Sequence, residues 1–479
     1  MRNIIAIGIV CISIARGVFI VSSYALHLFL GRYLGPADYG VVGILLALLI
    51  FFRVFLKDGL FHAVSRYTSA HHNQSRSIRR KILKLQLVLV FLLSGVYFFS
   101  SNIMADFLHD PKFISYIRLS AFILPPIGLF FIYMGSLNGL RLFHKQALGS
   151  GFYGIMRFLC VFAFVMLGLR INGIIFGLFL APLMALILTR YLCISSESDQ
   201  EGDFNLSIKE ILPFAAPIIL FSAGITILMS LDLFLVKSLL RSNDQTGFYT
   251  AATMIGKLPY HFIVSFTLTL FPSVSRAHAQ NNLEKIRHYI RRFAKYITHI
   301  MLPTVTIISI LASEIITIIY SKRFIPSSQP LSIIIWGNAF LAYFLFCSTI
   351  FMAIGRPKTP FFFLCISLPL AIILNLHLIP KYNLIGAALA TTLSHLTGLI
   401  LSSWYVMKCL NISISIKTIF ITILGISTVI ISSYLLPLHG LLILIKCFIL
   451  FLIYITIMVI CKEINIEDIK SIREIFIRT

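Results

Sequence analysis

Residues Ile4–Leu30 read IIAIGIVCISIARGVFIVSSYALHLFL, an apolar stretch with one guanidinium, Arg16, near its centre. The stretch is long enough to cross a bilayer, whose apolar core takes about 20 helical residues. An arginine at that depth costs roughly 3 kcal/mol on insertion scales, so it faces a partner or a watery cavity rather than lipid. Arg157 and Lys257 repeat the pattern in later apolar runs. The chain therefore reads as a membrane bundle with a basic interior, a setting suited to anionic cargo.

Composition agrees. The 479 residues are 58% hydrophobic and 12% charged, with a mean hydropathy of +0.95. Apolar runs recur along the whole length, which makes this an all-α polytopic membrane protein. The first run follows Arg2 and resembles a signal peptide. It is too long for one, and Gly31-Arg32-Tyr33 follows it in place of a small-residue cleavage site, so it is expected to stay as the first span. The eight cysteines lie in or at the ends of apolar runs with no metal-ligand spacing and read as packing residues. No Walker A loop is present. Neither a cofactor nor a metal is expected.

Fourteen spans are expected: 5–30, 40–56, 82–102, 115–138, 149–169, 172–192, 213–236, 248–271, 296–320, 331–353, 361–379, 384–405, 417–436 and 441–461. With the N-terminus cytoplasmic, 26 of the 40 lysines and arginines fall on inner loops and 9 on outer ones, the remaining five staying within spans. Cytoplasmic loops keep the excess of cations, so both termini are placed inside. The same bias accounts for the net charge of +23 as a topology signal with attraction to membrane lipid headgroups. No nucleic-acid partner is expected.

The chain echoes itself. Leu28-Phe29-Leu30, a loop and Tyr39-Gly40 resemble Leu233-Phe234-Leu235, a loop and Gly247-Phe248-Tyr249. Val64-Ser65-Arg66 before a basic loop matches Val274-Ser275-Arg276 before another. Six spans separate equivalent points, and an even number preserves orientation, so the copies read as parallel repeats. The expected organisation is a first lobe over 1–194, an acidic cytoplasmic linker over 195–212 with Glu197, Asp199, Glu201, Asp203 and Glu210, a second lobe over 213–408, and two further spans with a cytoplasmic tail over 409–479. Ile466, Ile469, Ile472 and Phe476 place a short amphipathic helix in that tail.

These pieces resemble the polysaccharide-transport family of the multidrug/oligosaccharidyl-lipid/polysaccharide exporter superfamily, the Wzx-type flippases. The resemblance covers essentially the whole chain. It is carried by Gly31-Arg32-Tyr33-Leu34-Gly35-Pro36-Ala37-Asp38-Tyr39-Gly40, Asp58-Gly59, Arg66, Asp232, Gly247-Phe248-Tyr249 with Ala251-Ala252, Gly355-Arg356-Pro357, Asn375, Ile379-Pro380 and Gly386-Ala387-Ala388. Where family members often carry an arginine after the paired alanines, this chain has Met254, with Lys257 about one turn later. The resemblance implies two six-helix lobes around a central cavity, alternating access, a bacterial cytoplasmic (inner) membrane location, and export of undecaprenyl-pyrophosphate-linked oligosaccharide such as O-antigen units. A polysaccharide polymerase and chain-length machinery are the partners it implies.

Helical spacing selects the site residues. Ser13, Arg16, Tyr24 and His27 share one face of the first span; Ser150, Gly154 and Arg157 share one of the fifth; Thr250, Thr253, Lys257 and His261 share one of the eighth. Polar stripes on apolar helices turn from lipid toward helices or water. Arg16, Arg157 and Lys257 are expected to meet phosphate, with Arg53 able either to join them or to snorkel to the inner surface. The competing role for each cation is a structural ion pair, but within spans only Asp232 and Glu314 are acidic, with Asp58 at an edge. Asp232 and Asp58 are candidates for an ion pair or for coupling. A multidrug/cation antiporter, a peptidoglycan-precursor (lipid II) flippase and a membrane glycosyltransferase are the alternatives. The first predicts an acidic or apolar cavity and the last a loop large enough for a catalytic domain.

Overall fold

The computed structural model describes residues 2–196, 208–412, 416–438 and 440–463. Most of the acidic linker, together with the tail positions Ile466, Ile469, Ile472 and Phe476, lies outside them. Among the described residues the long elements are all helices: α1 (Arg2–Leu34), α2 (Pro36–Lys57), α3 (Leu60–Ala70), α4 (Ser75–Phe99), α5 (Ser101–Phe107), α6 (Lys112–Ala121), α7 (Leu124–Gly139), α8 (Phe143–Phe164), α9 (Arg170–Ile194), α10 (Ile208–Leu228), α11 (Leu231–Leu240), α12 (Asn243–Gly256), α13 (Leu258–Ala279), α14 (Leu283–Ile310), α15 (Ala312–Ile319), α16 (Ser328–Ala353), α17 (Lys358–Leu410), α18 (Ile416–Leu435) and α19 (Ile443–Ile460). Nine helices in the described residues are long and apolar enough to cross a membrane, or ten if the pair bent by 41° at residues 229–230 is one span. This is a multi-pass membrane protein, as the hydropathy implies.

The chain divides into two compact units, Met1–Ser230 with Arg241–Gly247, and Leu231–Leu240 with Phe248–Thr479. In the first unit α1 and α8 run side by side. A Cβ on Gly8 would strike Phe143, one on Gly151 would touch Ala15, and one on Gly154 would lie 3.0 Å from the Phe19 Cα. The contacts climb together along both helices, so the two are parallel. Small residues at the crossing let the backbones approach, which is how helices pack without a hydrophobic drive.

Each unit contains a tight hairpin, and the two are built alike. Between α8 and α9, Arg170 adopts φ 43° and ψ −125°, and a Cβ on Gly177 would come within 2.6 Å of the Val161 backbone. Within α17, Asn383 adopts φ 50° and ψ −129° and reverses the chain, while Gly386 packs directly on the Leu378 carbonyl. Only glycine fits such close antiparallel backbones. In each case the positive-φ residue stands three positions before that first close-packed glycine, Gly173 or Gly386.

Three sequence expectations change. The seventh span is two helices, α10 and α11, with Asp232 in the first turn of the second. The eighth is interrupted at Lys257, between α12 and α13. Pro259 explains the interruption, because its ring removes an N–H and crowds the carbonyl one turn earlier. Arg79 and Lys237, assigned to loops, are buried, at 5% and 2% exposure. Arg79 donates to the Cys193 Sγ at 3.3 Å and its guanidinium lies 5.5 Å from the Tyr133 ring. All eight cysteines are free thiols.

Candidate functional site

In the first unit the α1–α8 crossing positions two of the expected cations. Arg16 follows Ala15, and Arg157 lies one turn beyond Gly154; both side chains are half-buried. Phe19 sits beside them, its ring stacked on Tyr153 at 5.9 Å and its other neighbour the Arg157 guanidinium, also at 5.9 Å. An arginine beside an aromatic ring gains a cation–π attraction while its N–H edge stays available. Arg53 on α2 is half-buried and lies within long-range electrostatic reach of Arg157 in the same unit. Among the described residues no carboxylate lies within ion-pair distance of Arg53 or Arg157.

Asp58 does not join them. It caps the C-terminal end of α2 and pairs with its neighbour Lys57 at 3.5 Å, with both side chains partly in the open. Such pairs contribute little. His27, on the same stripe as Arg16, is buried and paired with the Tyr39 hydroxyl at 3.0 Å.

In the second unit Asp232 is 2% exposed and tightly held. The Tyr249 hydroxyl donates to its Oδ2 at 2.7 Å, the Thr391 hydroxyl donates to the same oxygen at 3.1 Å, and the Leu233 N–H donates to Oδ1 at 2.8 Å. Asp232 thus ties α11, α12 and α17 together. The start of α11 also favours its negative charge, through the exposed N–H groups of a first helical turn. Thr391 carried no sequence signal beyond being a hydroxyl in an apolar run, and its 159-residue separation from Asp232 hid the contact.

Lys257 is half-buried at the α12–α13 break and within electrostatic reach of Asp232, with no described carboxylate in ion-pair distance. Backbone bonds run from the Lys257 N–H to Thr253 (3.0 Å) and from the His261 N–H to Lys257 (3.2 Å). They keep the expected stripe in register across the break. Each unit therefore presents cations along polar stripes, and neither presents a group of three or more potential metal ligands among the described residues.

The chain is similar to several known proteins. A family model described as "Polysaccharide biosynthesis protein" matches residues 29–329. A probable low-salt glycan biosynthesis flippase, Agl15, of Haloferax volcanii is 24% identical over 171 residues, 36% of this chain and 36% of its own length. The lipid II flippase MurJ of Bacillus subtilis is 24% identical over 146 residues, 30% of this chain and 27% of its own length. The chain thus spans well under half the length of these curated relatives. A solved structure of lipid II flippase MurJ in an inward closed conformation shares the fold, with a TM-score of 0.76 at 18% identity, covering 95% of this chain and 99% of that one.

Proposed function

The chain belongs to the polysaccharide biosynthesis protein family, within the polysaccharide-transport branch of the exporter superfamily, and from that premise we propose that it is a flippase for undecaprenyl-pyrophosphate-linked oligosaccharide. It moves O-antigen or other surface-polysaccharide units from the inner to the outer leaflet of the bacterial cytoplasmic membrane by alternating access. The observation that carries this reading is Arg157, half-buried against the Phe19 ring at 5.9 Å with no described carboxylate in ion-pair distance, with Arg16 on the neighbouring helix. A diphosphate supplies the opposite charge, and arginine binds it through paired N–H groups. In the second unit Lys257 is a further half-buried cation with no described carboxylate in ion-pair distance.

The drive needs no nucleotide. With the cytoplasm negative, exporting an anion gains about 2.3 kcal/mol per charge per 100 mV. Asp232, held by three donors, acts in this reading as a structural tie rather than a coupling group. The polymerase and chain-length proteins that consume the product are natural partners.

Fourteen spans with both termini cytoplasmic remain the topology we infer. Dividing each hairpin in two, taking α10–α11 and α12–α13 as one bent span each, and adding the shorter apolar helix Phe420–Leu435 brings the number to fourteen. Parallel repeats are supported by two recurrences. The residue before Leu-Phe-Leu bonds a tyrosine in each half, His27 to Tyr39 and Asp232 to Tyr249. The two glycine hairpins recur as well.

The test is translocation in proteoliposomes. Lipid-linked oligosaccharide reaching the outer leaflet is measured by enzymatic accessibility, in wild type and in R53A, R157A and K257A. Undiminished flipping in all three would sink the reading. Likeness to proteins named lipid II flippase favours one second reading, a peptidoglycan-precursor flippase. Rescue of cells depleted of their own such flippase separates the two.

A further inference from the structure

After leaving the first unit the chain returns to it once. Leu231–Leu240 and Phe248–Thr479 belong to the second unit, but the segment between them, Arg241–Gly247, packs with the first. It turns at Arg241, with φ 53°, and then starts α12. The first turns of α12 pack directly on those of α2. A Cβ on Gly40 would come within 2.6 Å of the Gly247 nitrogen, and one on Gly247 within 2.7 Å of the Pro36 carbonyl carbon. Each glycine gives room to the other helix's backbone, which a side chain would deny. Thr246 beside them is 0% exposed. The turn between α5 and α6 is a further partner. There Asp110 accepts the Lys112 N–H at 3.2 Å through Oδ1 and the Asn243 side-chain amide at 3.1 Å through Oδ2. The Asp110 N–H donates to the Ala105 carbonyl at 3.1 Å, so this carboxylate stands on a turn that is already fixed.

Two helix N-terminal ends meet here, and their partial positive charges repel. Asp244 in the first turn of α12 and Asp110 beside Asn243 offset that repulsion. The contact is close-fitting, yet its like ends are poised to part. In the chain the segment stands between Asp232, which opens α11, and Lys257, which follows α12. Moving the start of α12 moves the helix that carries Thr250 and Thr253 and leads to Lys257. We propose that Arg241–Gly247 is a strap that holds the outer mouth shut, fastened on α2 and the α5–α6 turn, and that it comes off α2 before cargo leaves. The proposal rests on the flippase reading and its topology, and adds to them the part that holds one state.

The first experiment uses the full chain in right-side-out membrane vesicles and reads the strap without cargo. T246C puts a thiol at the buried position, where a membrane-impermeant maleimide reaches it from outside only with the strap off. Modification is quantified on the peptide containing residue 246, apart from the eight native cysteines. Adding G247A sets a methyl against the Pro36 carbonyl and is expected to raise the labelling rate at least about fivefold, the shift one overpacked contact supplies. Adding G17A, whose methyl meets nothing within 4 Å, leaves the rate unchanged. N243A removes the Asp110 bond without crowding; it is expected to raise labelling less, and it serves should G247A fold poorly. Labelling as slow with G247A and N243A as with T246C alone overturns the strap. The second experiment bridges D110C and N243C with a short bis-methanethiosulfonate in proteoliposomes. Flipping is expected to slow at least about tenfold, because opening then limits the rate, with reductant restoring it and neither single variant affected. Undiminished flipping, with the bridge confirmed by mass spectrometry, overturns the strap and leaves the flippase reading standing. If the wild type flips no lipid-linked oligosaccharide while labelling shifts as expected, the flippase reading falls and the strap stands as a latch for another cargo.

Discussion

Tyr249 donates its hydroxyl to the Asp232 carboxylate at 2.7 Å, inside a site where Asp232 is 2% exposed. The carboxylate also takes Thr391 from α17, so one acid fastens three helices. An acid held this way is a joint of the fold, and its removal is felt as lost stability before lost transport.

Y249F tests that joint. It deletes a donor to a buried charge, which costs about 1.5–3 kcal/mol. The purified variant should unfold at lower temperature by thermal shift in detergent. T391V should do the same to a smaller degree because its bond is longer. An unshifted melting profile in Y249F would mean that Asp232 is satisfied by other groups.

R157A and R157K separate charge from geometry. Losing a charge-assisted contact worth roughly 1.5–3 kcal/mol slows flipping about tenfold or more. Lysine keeps the charge but not the paired N–H edge, so R157K recovers only part of the rate. Full recovery by lysine in the proteoliposome assay would show that charge alone matters.

Glycine packing gives a structural prediction with an internal control. A Cβ on Gly154 would press on the Phe19 backbone at 3.0 Å, whereas one on Gly17 meets nothing within 4 Å. G154V should separate α1 from α8 and cost about 1–3 kcal/mol, as overpacked sites do. G17A should be silent. Comparable folded yields of the two variants on size-exclusion chromatography would contradict the α1–α8 crossing.

The turn residue Asn383 sits at φ 50° and ψ −129°, a conformation open mainly to glycine. N383G should relieve strain of about 1–3 kcal/mol and raise the thermal midpoint. Arg170, in the same conformation, behaves differently, because its guanidinium bridges to Asp38 at 2.5 Å and R170G forfeits that bond.

Membrane potential should set the rate if the exported head is anionic. Removing an inside-negative 100 mV withdraws about 2.3 kcal/mol per charge. Proteoliposomes clamped with potassium and valinomycin should flip more slowly as the potential is dissipated. Rates indifferent to voltage would point to another source of energy.

Hydropathy is a local property, so the all-helical multi-pass membrane class was legible in the sequence. So were Arg16, Arg157 and Lys257, because a charge inside an apolar run is conspicuous without knowing its neighbours. What surrounds each charge was not legible, since that depends on residues far apart in the chain. Only the tertiary structure brought Thr391 to Asp232, set the Arg157 guanidinium against the Phe19 ring, and placed Arg79 in the protein interior beside Cys193. Burial of a polar group is affordable only where a partner waits, and partners are chosen by how helices pack, which no span of residues encodes alone.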